Sequence, residues 1–163
     1  MNDSIGLITL NARFIHSSLS LRYLRNAARD AGYKNVWIRE YVIDQPIWKI
    51  GADILGRNPA VLGISVYIWN RNQSFELIER LKKQAPGLSI AVGGPEVSFD
   101  VPDSEDFVII SGEGEKKWVE FLGYRQRNET PPEEVLACWK TFGEDLPGLV
   151  PPYIDDDIEE LQN

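Results

Sequence analysis

The sequence predicts an α/β protein built on a doubly wound sheet of five parallel strands. Short apolar runs alternate along the chain with amphipathic stretches of helical periodicity, the pattern of repeated βαβ units. The run over residues 60–66 is apolar except for Ser65, which is typical of a strand buried on both faces. Segments rich in polar residues, glycine and aromatic residues follow the strands. Because parallel strands end at one edge of a sheet, we expect these segments to lie together.

Each element has its own sequence signal. The strands are predicted at residues 5–10, 35–41, 60–66, 88–92 and 107–110, and the alternating second strand is expected near an edge. The helices are predicted at residues 17–31, 47–55, 74–84 and 115–125, with a shorter one at 133–141. Ser17 or Ser18 is a candidate N-cap of the first helix, and Gly32 is its expected stop. In the fourth helix Trp118, Val119 and Leu122 are expected to face inward.

Right-handed crossovers between these strands favour a flavodoxin-like (Rossmann-like) sheet with the order 2-1-3-4-5, helices on both faces and the first strand central. Residues 1–128 are predicted to form this domain. From residue 129 to 163 prolines and an Asp155-Asp156-Asp157 run take over, which indicates an extension or linker.

Composition excludes several function classes. A net charge of −8 argues against nucleic acid and against an anionic membrane surface as partners. The longest apolar run, residues 61–68, is far too short to span a bilayer, and residues 1–10 carry no basic segment of a signal peptide. Cys138 is the single cysteine, so no internal disulfide can form, and a cytoplasmic location is expected. Next to Trp139, Cys138 is expected to be buried and inert.

Four segments follow strand ends and carry the candidate binding residues. These residues are Asn11, Arg13 and His16 after the first strand; Ser65, Tyr67 and Trp69 after the third; Gly93, Gly94, Pro95 and Glu96 after the fourth; and Gly112, Glu113, Gly114 and Glu115 after the fifth. Glycine lets a backbone approach a large ligand closely, and a hydroxyl at the neighbouring strand end can bind its polar rim.

Each segment also has a purely structural interpretation, which stays open at this point. The Gly93-Gly94 pair is equally a tight turn, and His16 is a candidate helix cap. Tyr67 and Trp69 alternate along a strand end, a pattern equally compatible with one of the two rings pointing into the core. The segment from Gly112 to Glu115 is also a favourable helix opening, since acids near a helix N-terminus are stabilising.

The set Ser65-x-Tyr67, Gly93-Gly94-Pro95-Glu96 and Gly112-Glu113-Gly114-Glu115 resembles the cobalamin-binding domain of cobalamin-dependent radical S-adenosylmethionine enzymes. The resemblance covers about residues 5–125, and the stretch from Asn11 to Leu24 is similar to a largely uncharacterised subgroup. In that family the domain precedes the radical barrel, and the proline- and aspartate-rich tail resembles the linker to it.

The resemblance implies a role for each segment. Ser65 and the backbone near Tyr67 would bind the nucleotide tail of cobalamin, which would pass beside Gly93-Gly94. The segment from Gly112 to Glu115 would contact the ribose and base. The corrin ring would lie over the sheet edge, beside residues 11–16 and 67–69. The metal of this module would be the cobalt of its cofactor.

Two family motifs are absent from this chain. Older cobalamin domains carry Asp-x-His-x-x-Gly after the first strand, whereas His16 here follows Phe14 by two residues and precedes Leu19 by three. We therefore expect that replacement of His16 leaves the absorption spectrum of the bound cobalt unchanged. One cysteine also cannot supply the Cys-x-x-x-Cys-x-x-Cys motif that holds a four-iron four-sulfur cluster. The cluster and S-adenosylmethionine would belong to a downstream radical domain of the same polypeptide.

The resemblance implies a cobalamin-binding module of a larger enzyme, a methyltransferase or a rearranging enzyme, with no catalysis by the isolated chain. The main alternative is an interaction domain that kept the fold and lost cobalamin. A flavodoxin-like electron carrier fits less well, because residues 11–18 hold no glycine for a phosphate loop. A phospho-receiver domain also fits less well, because Ser65 and Asn11 stand where it needs acids.

Overall fold

The computed structural model describes residues 3–13, 18–98 and 103–141, which form one parallel five-stranded sheet with helices on both faces. The strand order is β2-β1-β3-β4-β5. The strands are β1 (Ile5–Asn11), β2 (Val36–Val42), β3 (Val61–Ser65), β4 (Ser89–Gly93) and β5 (Val108–Ile110). The helices are α1 (Leu19–Asp30), α2 (Ile47–Gly56), α3 (Arg71–Gln84), α4 (Glu115–Gln126) and α5 (Glu133–Lys140), with a short 3₁₀ helix at Pro95–Ser98.

Alternation of side chains along the strands divides the core into two layers. Ile8, Leu62 and Val92 pack with α2 and α3 on one face of the sheet. Leu7 and Ala91 pack with α1, α4 and α5 on the other face. Both faces of the inner strands are therefore covered, as the apolar third strand predicts.

The predicted strand order is confirmed, and β2 lies at an edge as expected. The middle position of the sheet belongs to β3, whereas β1 is an inner strand between β2 and β3. Helix α3 begins three residues earlier than the periodicity predicts, because the Ser74 N–H already donates to the Asn70 carbonyl, 2.8 Å away.

Both predicted boundaries of α1 have a structural counterpart. Ser18 is the N-cap, and its Oγ accepts from the Leu21 N–H at 3.4 Å. Gly32, with φ of +98°, follows the last turn, and the Tyr33 N–H donates back to the Ala28 carbonyl. The alternative cap, Ser17, lies outside the described residues.

Helix α5 packs against β5 and α4 through a fully buried Trp139. The Trp139 Nε1–H donates to Glu120, and the Trp139 carbonyl accepts from the Ser111 N–H at the end of β5. The prediction that Cys138 is buried was wrong, because its side chain is exposed. Neighbouring helix residues point about 100° apart, so a buried Trp139 turns Cys138 outward. In α4, Trp118 and Leu122 are buried as predicted, and Val119 is half-buried.

In the described ranges, no helix is both long enough and apolar enough to cross a membrane.

Candidate functional site

A cavity of about 580 Å³ opens at the carboxyl edge of the sheet, on the face covered by α1 and α4. Its lining combines the ends of β3, β4 and β5 with the first turns of both helices. Nine sequence-predicted residues line it: Ser65, Tyr67, Gly93, Gly94, Pro95, Gly112, Glu113, Gly114 and Glu115. The geometry therefore joins three of the four predicted segments around one space.

Small residues of β3 and β4 form the floor of this cavity. Gly63 of β3 is opposite Ala91 of β4, and Ser65 is opposite Gly93. A Cβ atom on Gly63 would lie 2.7 Å from Leu7 Cδ2 and 3.1 Å from Trp118 Cη2. The absence of that Cβ lets the Trp118 indole pack directly on β3 beneath the cavity.

Three hydroxyl groups converge at the mouth of the cavity. Ser20 Oγ lies 3.5 Å from Ser65 Oγ and 3.5 Å from the Tyr67 hydroxyl. Hydroxyl hydrogen bonds usually measure about 2.7–2.8 Å, so these contacts are long. Ser20 Oγ also makes a hydrogen bond with Ser18 Oγ at 3.0 Å. The Ser65 and Tyr67 hydroxyls therefore keep donor and acceptor capacity for a polar ligand.

A fully buried amide holds the loop that carries Tyr67. Asn70 Oδ1 accepts from the Tyr67 N–H at 2.8 Å, and Asn70 Nδ2 donates to the Leu10 carbonyl at 2.9 Å. The Trp69 Nε1–H donates to the same carbonyl at 3.2 Å. These bonds fasten the β3–α3 loop to the end of β1, so the loop residues occupy defined positions at the sheet edge.

The aromatic pair of this loop stays at the surface. The rings of Tyr67 and Trp69 stack with their centroids 4.5 Å apart and their planes 3° apart. Tyr67 lines the cavity, whereas Trp69 does not, and Ile68 between them is 77% exposed. Neither ring enters the core. Both rings lie at the carboxyl edge of the sheet, so the interpretation that one of them is a core residue is wrong.

The turns after β4 and β5 require glycine for their own geometry. Gly94 has φ of +105° and Gly112 has φ of +70°, a backbone conformation that other residues rarely adopt. Gly114 is the N-cap of α4, and Glu115 lies in its first turn. Both glycine segments therefore have a structural role in their turns, and both also line the cavity.

The remaining predicted residues lie away from the cavity or outside the described residues. Asn11 donates to Glu40 Oε1 at 3.1 Å, and Glu96 pairs with Arg71 at 2.9 Å. Arg13 is exposed, and Trp69 faces the end of β1. His16 lies outside the described residues.

Sequence reasoning missed the wall that α1 contributes to the cavity. Leu19, Ser20, Tyr23 and Leu24 line it. Their spacing of one, four and five residues places them on one helix face. That spacing is visible in the sequence, but the periodicity of Leu21, Leu24 and Ala28 predicts only a core-facing stripe, and Leu24 both packs against the core and lines the cavity.

The electrostatic character of the cavity is acidic. Among the described lining residues the charged ones are Glu113 and Glu115, and there is no lysine, arginine or histidine. Such a space favours an uncharged or cationic group over a phosphate dianion, which binds next to cations.

Comparison with known proteins agrees with this geometry. Residues 5–122 match the family model described as B12 binding domain. A 2-(S-pantetheinyl)-carbapenam-3-carboxylate methyltransferase from Streptantibioticus cattleyicolor is 34% identical over an alignment 74 residues long, which covers 40% of this chain and 10% of that protein.

Solved structures share the fold at low identity. The cobalamin-dependent S-adenosylmethionine radical enzyme OxsB, with aqua-cobalamin and S-adenosylmethionine bound, superposes on 80% of this chain with a TM-score of 0.67 and 20% identity. The radical S-adenosylmethionine methyltransferase TsrM from Kitasatospora setae, with tryptophan and a cofactor analogue bound, covers 79% at a TM-score of 0.61 and 16% identity. This chain spans 19% of the OxsB chain and 27% of the TsrM chain.

The family model covers well over half of the chain, from β1 into α4, and includes every strand of the sheet and the described lining of the cavity. The chain belongs to the B12 binding domain family.

Proposed function

We propose that this chain binds cobalamin, with the nucleotide tail in the cavity and the corrin ring over the carboxyl edge of the sheet. The observation that carries the proposal is the cavity itself, which the predicted residues of three separate loops line together. Membership of the B12 binding domain family indicates the class of ligand, and the cavity is a space in which part of that ligand can bind.

The residues present fit the tail of cobalamin. A volume of about 580 Å³ is within the range of small-molecule sites. Ala91 and Gly93 of β4 bring no long side chain into the cavity, and the hydroxyls of Ser20, Ser65 and Tyr67 offer polar groups to the ligand. The tail phosphate is a diester with a single negative charge. We place it outside the acidic part of the cavity, where the Ser20 and Tyr67 hydroxyls can donate to it.

The site residues divide between the two parts of the ligand. Ser65, Gly93, Gly94 and the segment from Gly112 to Glu115 would hold the tail. Tyr67 would lie where the two parts meet, with its hydroxyl toward the tail phosphate and its ring beside the corrin. Trp69 and the residues from Asn11 to His16 would also lie beside the corrin ring. The exposed Ile68 and the stacked rings next to it offer an apolar surface to that ring.

When bound, cobalamin supplies a cobalt centre that carries a methyl group or takes part in rearrangement. We propose that the chain acts as the cobalamin module of a larger radical S-adenosylmethionine enzyme. In this proposal residues 1–128 form the module, and residues 129–163 lead toward a radical domain. S-adenosylmethionine and the four-iron four-sulfur cluster would bind in that domain, and the isolated module would be inert. OxsB and TsrM, which share the fold, are radical S-adenosylmethionine enzymes with solved structures that contain cobalamin.

An absorption spectrum tests the proposal directly. We expect the purified chain to retain hydroxocobalamin through gel filtration, with a spectrum that differs from that of the free compound. Ser20→Phe places a ring at the mouth of the cavity and should abolish retention. Ala52→Phe, at an exposed position of α2 on the other face of the sheet, is the matched control and should retain the compound.

Two outcomes would contradict the proposal. A folded chain that retains no cobalamin would support the alternative, a domain that kept the fold and lost the ligand. Equal retention by Ser20→Phe and the unmodified chain would show that the ligand binds outside this cavity.

A further inference from the structure

The carboxylate of Glu40 joins the end of β1 to the start of α1. Glu40 belongs to β2 and faces the α1 layer, because it alternates along the strand with Val36, which packs in that layer. Its Oε1 atom accepts from the Asn11 Nδ2–H at 3.1 Å and from the Ser18 N–H at 2.7 Å. Asn11 is the last residue of β1, and Ser18 is the N-cap of α1. One carboxylate on a neighbouring strand therefore holds both residues.

A buried arginine completes this contact. Arg22 Nη1 lies 3.3 Å from Glu40 Oε2, and it donates to the Ser18 carbonyl at 3.1 Å. The Arg22 side chain is 7% exposed and that of Glu40 is 20% exposed, so the ion pair is largely shielded from water. In such a pair the loss of one partner is costly, because it leaves the other charge buried without compensation.

Glu40 supplies α1 with a capping group that the helix itself lacks. In a capping box a serine N-cap is followed three residues later by glutamate, whose carboxylate accepts from the N–H of the N-cap residue. In α1 that position holds the fully buried Leu21, and the first turn contains no acidic residue. Glu40 accepts the Ser18 N–H from another strand instead, with its negative charge next to the positive end of the helix dipole. The N-cap of α1 is therefore completed by tertiary structure.

This cap leads to the mouth of the cavity through two serine hydroxyls. Ser18 Oγ accepts from the Leu21 N–H at 3.4 Å, so its own O–H is available to donate to Ser20 Oγ, 3.0 Å away. The Ser20 O–H then points outward, toward Ser65 Oγ and the Tyr67 hydroxyl, each 3.5 Å distant. A set of polar contacts thus connects a carboxylate that does not line the cavity with the hydroxyls at its mouth.

We infer that Glu40 is a positioning residue of the ligand site, which acts through Ser18 to direct the Ser20 hydroxyl toward the bound ligand. The inference rests on the proposed function and adds to it a residue outside the cavity. In that function the Ser20 hydroxyl donates to the tail phosphate, so the bond depends on the position of the first turn of α1. Without the Glu40 carboxylate this turn loses part of its cap, and the bond to the ligand weakens.

A double-mutant cycle tests whether Glu40 acts through Ser20. Dissociation constants for hydroxocobalamin are measured by absorbance titration for the unmodified chain, Glu40→Ala, Ser20→Ala and the double variant. We expect each single variant to bind about fivefold more weakly, the effect of one lost hydrogen bond. The double variant should bind like Ser20→Ala, because the hydroxyl that Glu40 positions is then absent. An equal effect of Glu40→Ala with and without the Ser20 hydroxyl, or no effect at all, would overturn the inference.

Two further variants separate positioning from stability. Asp53→Ala removes a carboxylate that accepts from the Tyr41 hydroxyl on the other face of the sheet, so it should lower stability and leave the dissociation constant unchanged. Glu40→Gln keeps an oxygen that can accept from the Ser18 N–H but loses the charge opposite Arg22. It should be less stable in urea unfolding and yet bind hydroxocobalamin like the unmodified chain. Affinity that falls in step with stability across these variants would show that Glu40 acts only on the fold.

Amide hydrogen exchange examines the cap without any ligand. We expect the Ser18 and Leu21 amides to exchange faster in Glu40→Ala, while the Ala28 amide near the other end of α1 keeps its protection. Unchanged exchange at Ser18 would overturn the capping role of Glu40. Should Glu40→Ala fail to fold, its combination with Arg22→Met leaves no unpaired buried charge and takes its place with the same expected outcomes.

The outcomes also separate this inference from the function on which it rests. If the unmodified chain binds no hydroxocobalamin, the proposed function is wrong, and the role of Glu40 in binding is wrong with it. If the chain binds hydroxocobalamin but the effects of Glu40→Ala and Ser20→Ala are additive, the positioning role alone is overturned and cobalamin binding stands.

Discussion

The carbonyl oxygen of Val66 lies 2.4 Å from the position that a Cβ atom on Gly94 would occupy. The Val66 N–H also donates to the Gly93 carbonyl at 2.7 Å, so the ends of β3 and β4 are fastened together at this point. With φ of +105°, Gly94 is required by the fold before any ligand is considered. A loss of cobalamin affinity in a Gly94 variant would therefore not distinguish a blocked ligand from a damaged turn.

We predict that Gly94→Val destabilises the chain in the absence of ligand. An unfavourable backbone conformation costs about 1–3 kcal/mol, and overpacking a close contact costs a further ~1–3 kcal/mol. Urea unfolding should show a corresponding drop in the free energy of unfolding. Gly87→Ala is the control, because a Cβ atom there meets nothing within 4 Å. Equal stability of Gly94→Val and the unmodified chain would contradict this account of the turn.

Ser65→Ala tests the hydroxyl cluster with little risk to the fold. The Ser65 hydroxyl is 3.5 Å from Ser20 Oγ, a contact too long to stabilise the protein strongly. We expect the affinity for hydroxocobalamin to fall by roughly 1 kcal/mol, about fivefold, while the free energy of unfolding changes little. Ser74→Ala removes a buried hydroxyl on the other face of the sheet and should leave the affinity unchanged. An unchanged affinity in Ser65→Ala would remove Ser65 from the site.

His16→Ala should leave the absorption spectrum of bound cobalamin unchanged and the affinity nearly so. The expectation rests on the sequence around His16, which lacks the Asp-x-His-x-x-Gly pattern of a cobalt-ligating histidine. The measurement is a comparison of the visible spectra of both proteins with hydroxocobalamin bound. A shift of the corrin bands in the variant would assign the histidine to the cobalt.

Tyr41→Phe should change how stability depends on acidity. The Tyr41 hydroxyl donates to Asp53 Oδ2 at 2.7 Å, and this bond, aided by Arg57 and Arg39, lowers the pKa of the Asp53 carboxyl. A lowered pKa in the folded state stabilises the protein above the ordinary carboxyl pKa, and this stabilisation is lost as pH falls through the lowered value. The variant lacks the hydrogen bond at every pH.

The difference in unfolding free energy between Tyr41→Phe and the unmodified chain should therefore shrink as pH falls below about 4. Urea unfolding at a series of pH values measures it. Tyr33→Phe is the matched control, since the Tyr33 hydroxyl donates to the Gln126 amide oxygen, which does not titrate. A difference for Tyr41→Phe that is constant from neutral to acid pH would show that the hydrogen bond does not lower the pKa of Asp53.

Cys138 should react with a thiol reagent in the native protein. Its side chain is exposed, and it is the single cysteine, so the signal has one source. We expect one thiol per chain to be labelled by an aromatic disulfide reagent without denaturant, at a rate close to that in urea. Protection in the native state that denaturant removes would place the thiol inside the packed domain.

Much of the candidate site was visible in the sequence because it follows strand ends. In a parallel sheet every strand end lies at one edge, so residues as distant as Ser65 and Glu115 could be assigned to one place without knowledge of any contact. Asn11 and Glu96 were assigned by the same reasoning but lie away from the cavity, because each is engaged with a charged neighbour, Glu40 and Arg71. Local sequence does not reveal a partner 25 or more residues away.

The sequence by itself determined the order of strands and helices, the 2-1-3-4-5 sheet and the edge at which the candidate residues gather. These properties follow from local periodicity and from the handedness of crossovers. Only the tertiary structure decided that α1 turns Tyr23 toward the cavity, that Cys138 faces outward, and that Val66 requires glycine at position 94. The rotation of a helix about its axis, and the distance between two backbones, depend on how all the neighbouring side chains pack together, and no local pattern contains that information.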